Sequence, residues 1–98
     1  MKLNEMKFKS GKLYFTRGVN DRVAENDAFA EFIIVSLRRH LKGDWGDLCE
    51  EDIEENEFSV DKYLRLFSAY IEPSTGEKIW IITEADRSAT TVLFPNEY

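Results

Sequence analysis

Asp27-Ala-Phe-Ala-Glu-Phe-Ile-Ile-Val-Ser-Leu-Arg-Arg-His-Leu-Lys42 is the stretch on which the fold turns. Its apolar residues Phe29, Phe32, Ile33, Leu37 and Leu41 recur at the spacing of one helical face. Asn26 or Asp27 can cap the helix by accepting a hydrogen bond from a free amide of the first turn. Arg38, Arg39 and Lys42 suit the negative carboxyl end of the helix dipole, and Gly43 is a natural stop. An amphipathic helix of this kind needs another layer to bury its apolar face, and the rest of the chain is read for that layer.

Downstream, Gly43-Asp-Trp-Gly-Asp47 is turn-rich. Asp47 and Glu50 have the spacing of a capping box, which predicts a second helix from Leu48 to about Asp61. That helix would carry Cys49, Ile53, Asn56 and Val60 on its inner stripe and carboxylates elsewhere. Ser59 and β-branched Val60 near its end, with like charges crowding it, make it the weaker of the two. Tyr63–Ile71, Lys78–Thr83 and Ala89–Phe94 read as strands, separated by the turn Pro73-Ser-Thr-Gly76 and the loop Glu84–Ser88. Pro95 ends the last of them.

Upstream, Met6–Lys9 and Lys12–Thr16 flank Ser10-Gly11 as a β-hairpin would. Pairing Lys9 with Lys12 sets Phe8 opposite Leu13 and Met6 opposite Phe15, so the apolar side chains share one face. Gly18–Asn26 is polar and reads as a connection with at most one helical turn. The expected fold class is therefore α+β: a mainly antiparallel sheet of about five strands, in the order β-β-α-α-β-β-β, with two helices packed on one face.

With 98 residues, the chain has room for one domain. Seven Phe, four Tyr and two Trp can fill its core without cross-links. One cysteine, Cys49, permits no internal disulfide, which fits a reducing cytoplasm. Met1–Lys12 lacks the apolar run of a signal peptide, and Phe32–Val35, the longest apolar stretch, is far too short to cross a bilayer. The net charge of −6 conceals an uneven distribution: +4 over Met1–Lys42 and −10 over Gly43–Tyr98.

Catalytic constellations are scarce. His40, the single histidine, borders the apolar stripe of its helix, and Cys49 sits on the inner stripe of another, both structural positions. No phosphate-binding glycine loop and no metal-ligand spacing of Cys or His occurs. No cofactor is expected. The carboxylates are the outstanding feature: between Asp44 and Glu57 there are eight acids and no base, namely Asp44, Asp47, Glu50, Glu51, Asp52, Glu54, Glu55 and Glu57. They run around most of a helix instead of converging, and EF-hand spacing is absent, so a hard cation has no cage here. The plain reading is a solvated helix face. The functional reading is a negative field that attracts a basic protein surface and can occupy a nucleic-acid-binding groove in place of phosphates. Trp45 is either an aromatic anchor beside that surface or folded back over the sheet edge.

Two further clusters complete the candidates. Glu84, Asp86 and Arg87 lie between two strands. They read as a turn whose Asp and Ser bond their own backbone while Arg87 pairs with a neighbouring acid, or as the raw material of a small metal-dependent hydrolase or nuclease. Thr16–Arg22 is basic and loop-like; with the lysine hairpin, Arg17 and Arg22 would serve direct nucleic-acid binding, which the net charge argues against.

Four segments together resemble a known family: Thr16-Arg-Gly-Val-Asn-Asp-Arg-Val-Ala-Glu25, Gly43-Asp-Trp-Gly-Asp47, Glu51-Asp52 with Asn56-Glu57, and Lys78-Ile-Trp-Ile-Ile-Thr-Glu-Ala-Asp-Arg-Ser88 running to Thr91-Val-Leu-Phe-Pro95. The chain resembles the small uncharacterised bacterial proteins labelled plasmid-related, from Thr16 onward. The resemblance implies a cargo protein of plasmids and other mobile elements and carries no established activity or catalytic residue. Together these readings set an expectation: a non-enzymatic, cytoplasmic binding protein with no membrane contact. Its partner would be a protein with a basic surface, such as a host nucleic-acid-binding defence complex met by an anti-CRISPR or anti-restriction inhibitor.

Overall fold

The structure, a computed structural model, describes residues 6–98; the portion of the amino-terminal reading that falls on residues 1–5 lies outside them. The elements are β1 (Lys12–Phe15), α1 (Arg17–Glu25), α2 (Asp27–Leu41), α3 (Glu50–Lys62), β2 (Leu66–Ile71), β3 (Lys78–Thr83) and β4 (Ala89–Leu93), followed by a short 3-10 turn at Pro95–Glu97. The α+β class holds, with a sheet of four strands in the order β1-β4-β3-β2. β2, β3 and β4 form the antiparallel meander that the three downstream strands suggested.

The amino-terminal hairpin does not form. β1 instead runs parallel to β4, pairing Leu13 with Thr90 and Phe15 with Val92. A parallel pair requires a long crossover, and here α1, α2, α3 and the meander supply it. Met6–Lys9 is not a strand: the Lys7 N–H bonds the Leu41 carbonyl at the end of α2. Phe8 then stacks on Trp45 and meets the edge of His40. Burying that ring among aromatics outweighs a two-stranded ribbon that is marginal in water. Gly11 is the hinge. Its φ is +64°, and a Cβ there would lie 2.3 Å from the Ser88 carbonyl, so only glycine lets the chain pass this close to the β3–β4 turn.

α1 is a full helix where a polar connection was expected. Its apolar contribution is sparse, but Val19 is wholly buried and Val23 packs against the core. α2 matches its sequence reading, including the cap: the Phe29 N–H bonds Asn26 Oδ1 at 2.9 Å. α3 also forms, but the capping box does not; Cys49 is the N-cap residue and makes no side-chain bond there.

One face of the sheet carries the core. Ser68, Tyr70, Ile79, Ile81, Thr83, Thr90 and Val92 share that face by period-two alternation. Val19, Phe29, Ile33 and Leu37 from α1 and α2 pack against its apolar members. Each fully buried aliphatic side chain contributes about 1.5–3 kcal/mol. α3 lies elsewhere, along the outer edge of β2. There the Asn56 side chain donates Nδ2–H to the Phe67 carbonyl and accepts the Phe67 N–H at Oδ1. Next to it, the Ala69 N–H reaches the Trp45 carbonyl while Asp47 N–H donates to the Ala69 carbonyl. An asparagine and a loop thus complete the β2 edge as another strand would. The expected arrangement of two helices on one face becomes α1 and α2 on the face and α3 at the rim.

Candidate functional site

The acidic segment divides in two. In its first part Trp45 turns inward and the acids are held by neighbouring side chains or stay exposed. Asp44 accepts both Arg39 Nε–H (2.7 Å) and Nη2–H (3.2 Å), and the guanidinium holds the Asp44 carboxyl below its ordinary range. Trp45 is 3 % exposed and its Nε1–H donates to Glu57 at 3.0 Å. An indole stacked on Phe8 and fixed by Glu57 offers no ring to a partner, so the anchor reading of Trp45 is corrected. Glu57 is further drawn to Lys7, at 3.8 Å. Asp47 stays exposed beside the sheet edge.

The second part turns outward. Glu50, Glu51, Asp52, Glu54 and Glu55 are all exposed, and among the described residues none makes an ion pair. Glu50, Glu51 and Asp52 occupy the first turn of α3, where the helix dipole favours them. Glu54 and Glu55 lie beyond that turn and gain little from it. At the centre of the outer face is Phe58, 55 % exposed, with Tyr63 (66 %) and Leu64 following it. Sequence reading passed over Phe58. The signal was there: it lies four residues after Glu54 and seven after Glu51, opposite the inner stripe of Asn56 and Val60. Cys49 is exposed as well, a correction to its expected place on that stripe.

Glu84, Asp86 and Arg87 do not assemble. The Asp86 carboxylate accepts the Ser88 N–H within its own turn, as the turn reading expected. Glu84 faces Arg65 at 3.7 Å. Arg87, at φ +61°, turns its side chain into the protein and is 8 % exposed. Among the described residues its guanidinium pairs with no acid. It donates instead to the carbonyls of Ser59, Val60, Leu64, Glu84 and Ala85, and the rings of Phe8 and Tyr63 lie 5.7 and 5.3 Å from it. The charge is satisfied by the carboxyl end of α3, and burial pushes its pKa down from the ordinary value.

His40 is equally structural. It is fully buried, with Nδ1 2.5 Å from Ser68 Oγ and Nε2 2.8 Å from Thr83 Oγ1. Thr83 Oγ1 lies 2.8 Å from Thr90 Oγ1, whose hydroxyl donates to the Ser10 carbonyl at 2.7 Å. That last carbonyl can only accept, which orients the chain as far as His40 Nε2. Thr83 donates to Thr90 and His40 Nε2–H donates to Thr83, and in the neutral ring Nδ1 accepts from the Ser68 hydroxyl. Burial, together with the nearby Arg87 charge, depresses the His40 pKa to about 3 and so favours the neutral ring.

No family model matches the chain, and no curated protein or solved structure matches it.

The basic segment Thr16–Arg22 is redistributed by α1. Arg22 grips Glu77 through two hydrogen bonds, leaving Arg17 exposed near Asp21. A cleft of about 680 Å³ opens between Met6–Lys9, the end of α3 and the Asp86–Arg87 turn. Lys7 and Lys9 line it opposite Asp61 and Asp86, so it favours no single ligand charge. Among the described residues, no group of three His, Cys, Asp or Glu could hold a metal ion, and no helix is long and apolar enough to cross a membrane.

Proposed function

We propose that the chain is a non-enzymatic protein-binding module carried by a mobile element. Its outward face of α3 meets a basic surface on a host nucleic-acid-processing machine, as an anti-CRISPR or anti-restriction inhibitor would. The observation that carries this reading is the set Glu50, Glu51, Asp52, Glu54 and Glu55, exposed and in no ion pair among the described residues, on the helix that also exposes the ring of Phe58, over which Lys62 Nζ lies at 5.9 Å. Carboxylates on a rigid helix speed encounter with a basic groove, and an aromatic ring among them supplies the desolvated contact that charge alone lacks. Trp45 and Glu57 contribute by tying α3 to the loop on the β2 edge, and Asp44 by holding that loop to Arg39 of α2.

The alternative of a metal-dependent hydrolase at Glu84 and Asp86 gains no support from the geometry, since Arg87 points away and Asp86 bonds its own turn. Direct nucleic-acid binding through Arg17 and Arg22 is weakened by the engagement of Arg22 with Glu77. Affinity capture from host lysate with double-stranded DNA as competitor tests the proposal. A captured DNA-handling protein that DNA displaces supports it, and retention of no such protein removes it.

A further inference from the structure

The two edges of the sheet are treated differently. The β2 edge is closed by Asn56 and the Trp45–Asp47 loop. The β1 edge is open. Lys12 N–H bonds the Ser88 carbonyl and Thr16 N–H the Val92 carbonyl, so the strand's even-numbered residues face β4. The backbone groups of Leu13 and Phe15 consequently point away from the sheet, and among the described residues nothing covers them. The side chains here are unusually apolar for an open edge: Leu13 is 53 % exposed, Tyr14 51 % and Phe15 37 %. Soluble proteins generally blunt such an edge, because it templates pairing with another strand.

We infer that β1 pairs antiparallel with β1 of a second copy of this chain across a two-fold axis at Tyr14, continuing the sheet through both molecules. The register follows from the backbone. Antiparallel hydrogen-bonded pairs need residues whose amide and carbonyl both face outward, and here those are Leu13 and Phe15. Only the register that sets Leu13 against Phe15 of the second copy uses both residues on both strands. Centring on Leu13 would demand Gly11, which has left the strand at φ +64°, and centring on Phe15 would demand Arg17, which is helical.

Side chains fit the same register. Leu13 meets Phe15 on the helix-bearing face, and the Tyr14 rings face each other on the opposite side, both favourable cross-strand pairs. Lys12 lies opposite Thr16 of the second copy. Thr16 Oγ1–H donates to Glu97 at 2.6 Å, and the same carboxylate accepts the Gly18 N–H at 2.9 Å, so each Lys12 faces an anchored carboxylate. That charge complementarity selects a second copy over an arbitrary extended peptide. The two-fold arrangement is closed, so it ends at a dimer. α3 lies at the other edge of each sheet and stays free, which makes the inference independent of the proposed function.

Sedimentation velocity across a range of concentrations tests it, with a crosslink as the second measurement. The mass should rise with concentration from 11.5 kDa toward twice that value. Leu13→Lys with Phe15→Lys should remain monomeric. In a Cys49→Ser background, Tyr14→Cys should form a covalent dimer under mild oxidation, because facing residues of a non-hydrogen-bonded pair lie about 4.5 Å apart at Cα. Lys12→Cys in the same background should not. A monomer at every concentration overturns the inference. So does a dimer that survives the double lysine variant and crosslinks no better at position 14 than at 12.

Discussion

His40 Nε2 lies 2.8 Å from Thr83 Oγ1, joining α2 to β3 through a hydrogen bond in which the order of hydroxyls beyond it makes Nε2–H the donor. The unfolded chain takes up a proton on His40 near pH 6.5, whereas the folded chain resists until about pH 3. Between those values the unfolded state binds more protons, so stability falls as pH is lowered, by about 1.4 kcal/mol per unit. Asp44, Glu77 and Glu97 have lowered pKa values and act in the same direction, but only as pH drops below the ordinary carboxylate range. The slope between pH 6.5 and 5 therefore belongs to His40. Urea unfolding should show that slope, and His40→Gln should flatten it even while lowering overall stability.

Arg87 ties the end of α3 to the β3–β4 turn and to Phe8. Arg87→Met would remove the guanidinium from the carbonyls of Ser59, Val60, Leu64, Glu84 and Ala85, of which Ser59 and Glu84 keep the backbone donors Leu64 N–H and Arg87 N–H. The expected loss is about 3 kcal/mol or more, read as a lower urea midpoint. Arg87→Lys should recover only part of it, because an ammonium cannot reach carbonyls spread around a planar fork.

Asn56→Ala would strip the β2 edge of its side-chain partner at Phe67. A cost of about 1–3 kcal/mol is expected from the backbone groups left unpaired. Thioflavin binding or light scattering on prolonged warming should increase relative to wild type, since an open edge invites pairing between chains.

Much of this architecture was legible in the linear chain, and the failures have specific causes. α2, β3 and the start of β4 follow from apolar periodicity and composition, and the Asn26 cap lies where it was expected. The Met6–Thr16 hairpin failed because Phe8 is drawn to Trp45 and His40, partners more than thirty residues away that no local pattern reveals. α1 was missed because its apolar side, Val19 and Val23, is too narrow to stand out among polar neighbours. In the candidate site, the outward group Glu50–Glu55 was readable from charge alone. Asp44, Trp45 and Glu57 were not separable from it by composition; tertiary contacts with Arg39, Phe8 and Lys7 divide them. Arg87 looked like a partner for acids, and its actual role as a bridge among carbonyls depends on a positive φ that sequence does not announce.

Phe58 offers a prediction distinct from charge. Phe58→Ser should weaken partner association by about tenfold or more if the ring is the desolvated centre of the contact, while leaving the melting temperature near that of wild type, because the ring is largely exposed. Parallel thermal melts and binding isotherms separate the two effects.

The most direct test of the acidic-helix account is quantitative affinity capture from host lysate with wild type beside the variant Glu50→Lys, Glu51→Lys, Glu54→Lys and Glu55→Lys. These side chains are exposed and, among the described residues, form no ion pair, so the variant should fold. The account predicts that a nucleic-acid-processing protein is retained by wild type, displaced by double-stranded DNA, and lost to the variant. Equal retention of that protein by both chains would contradict it.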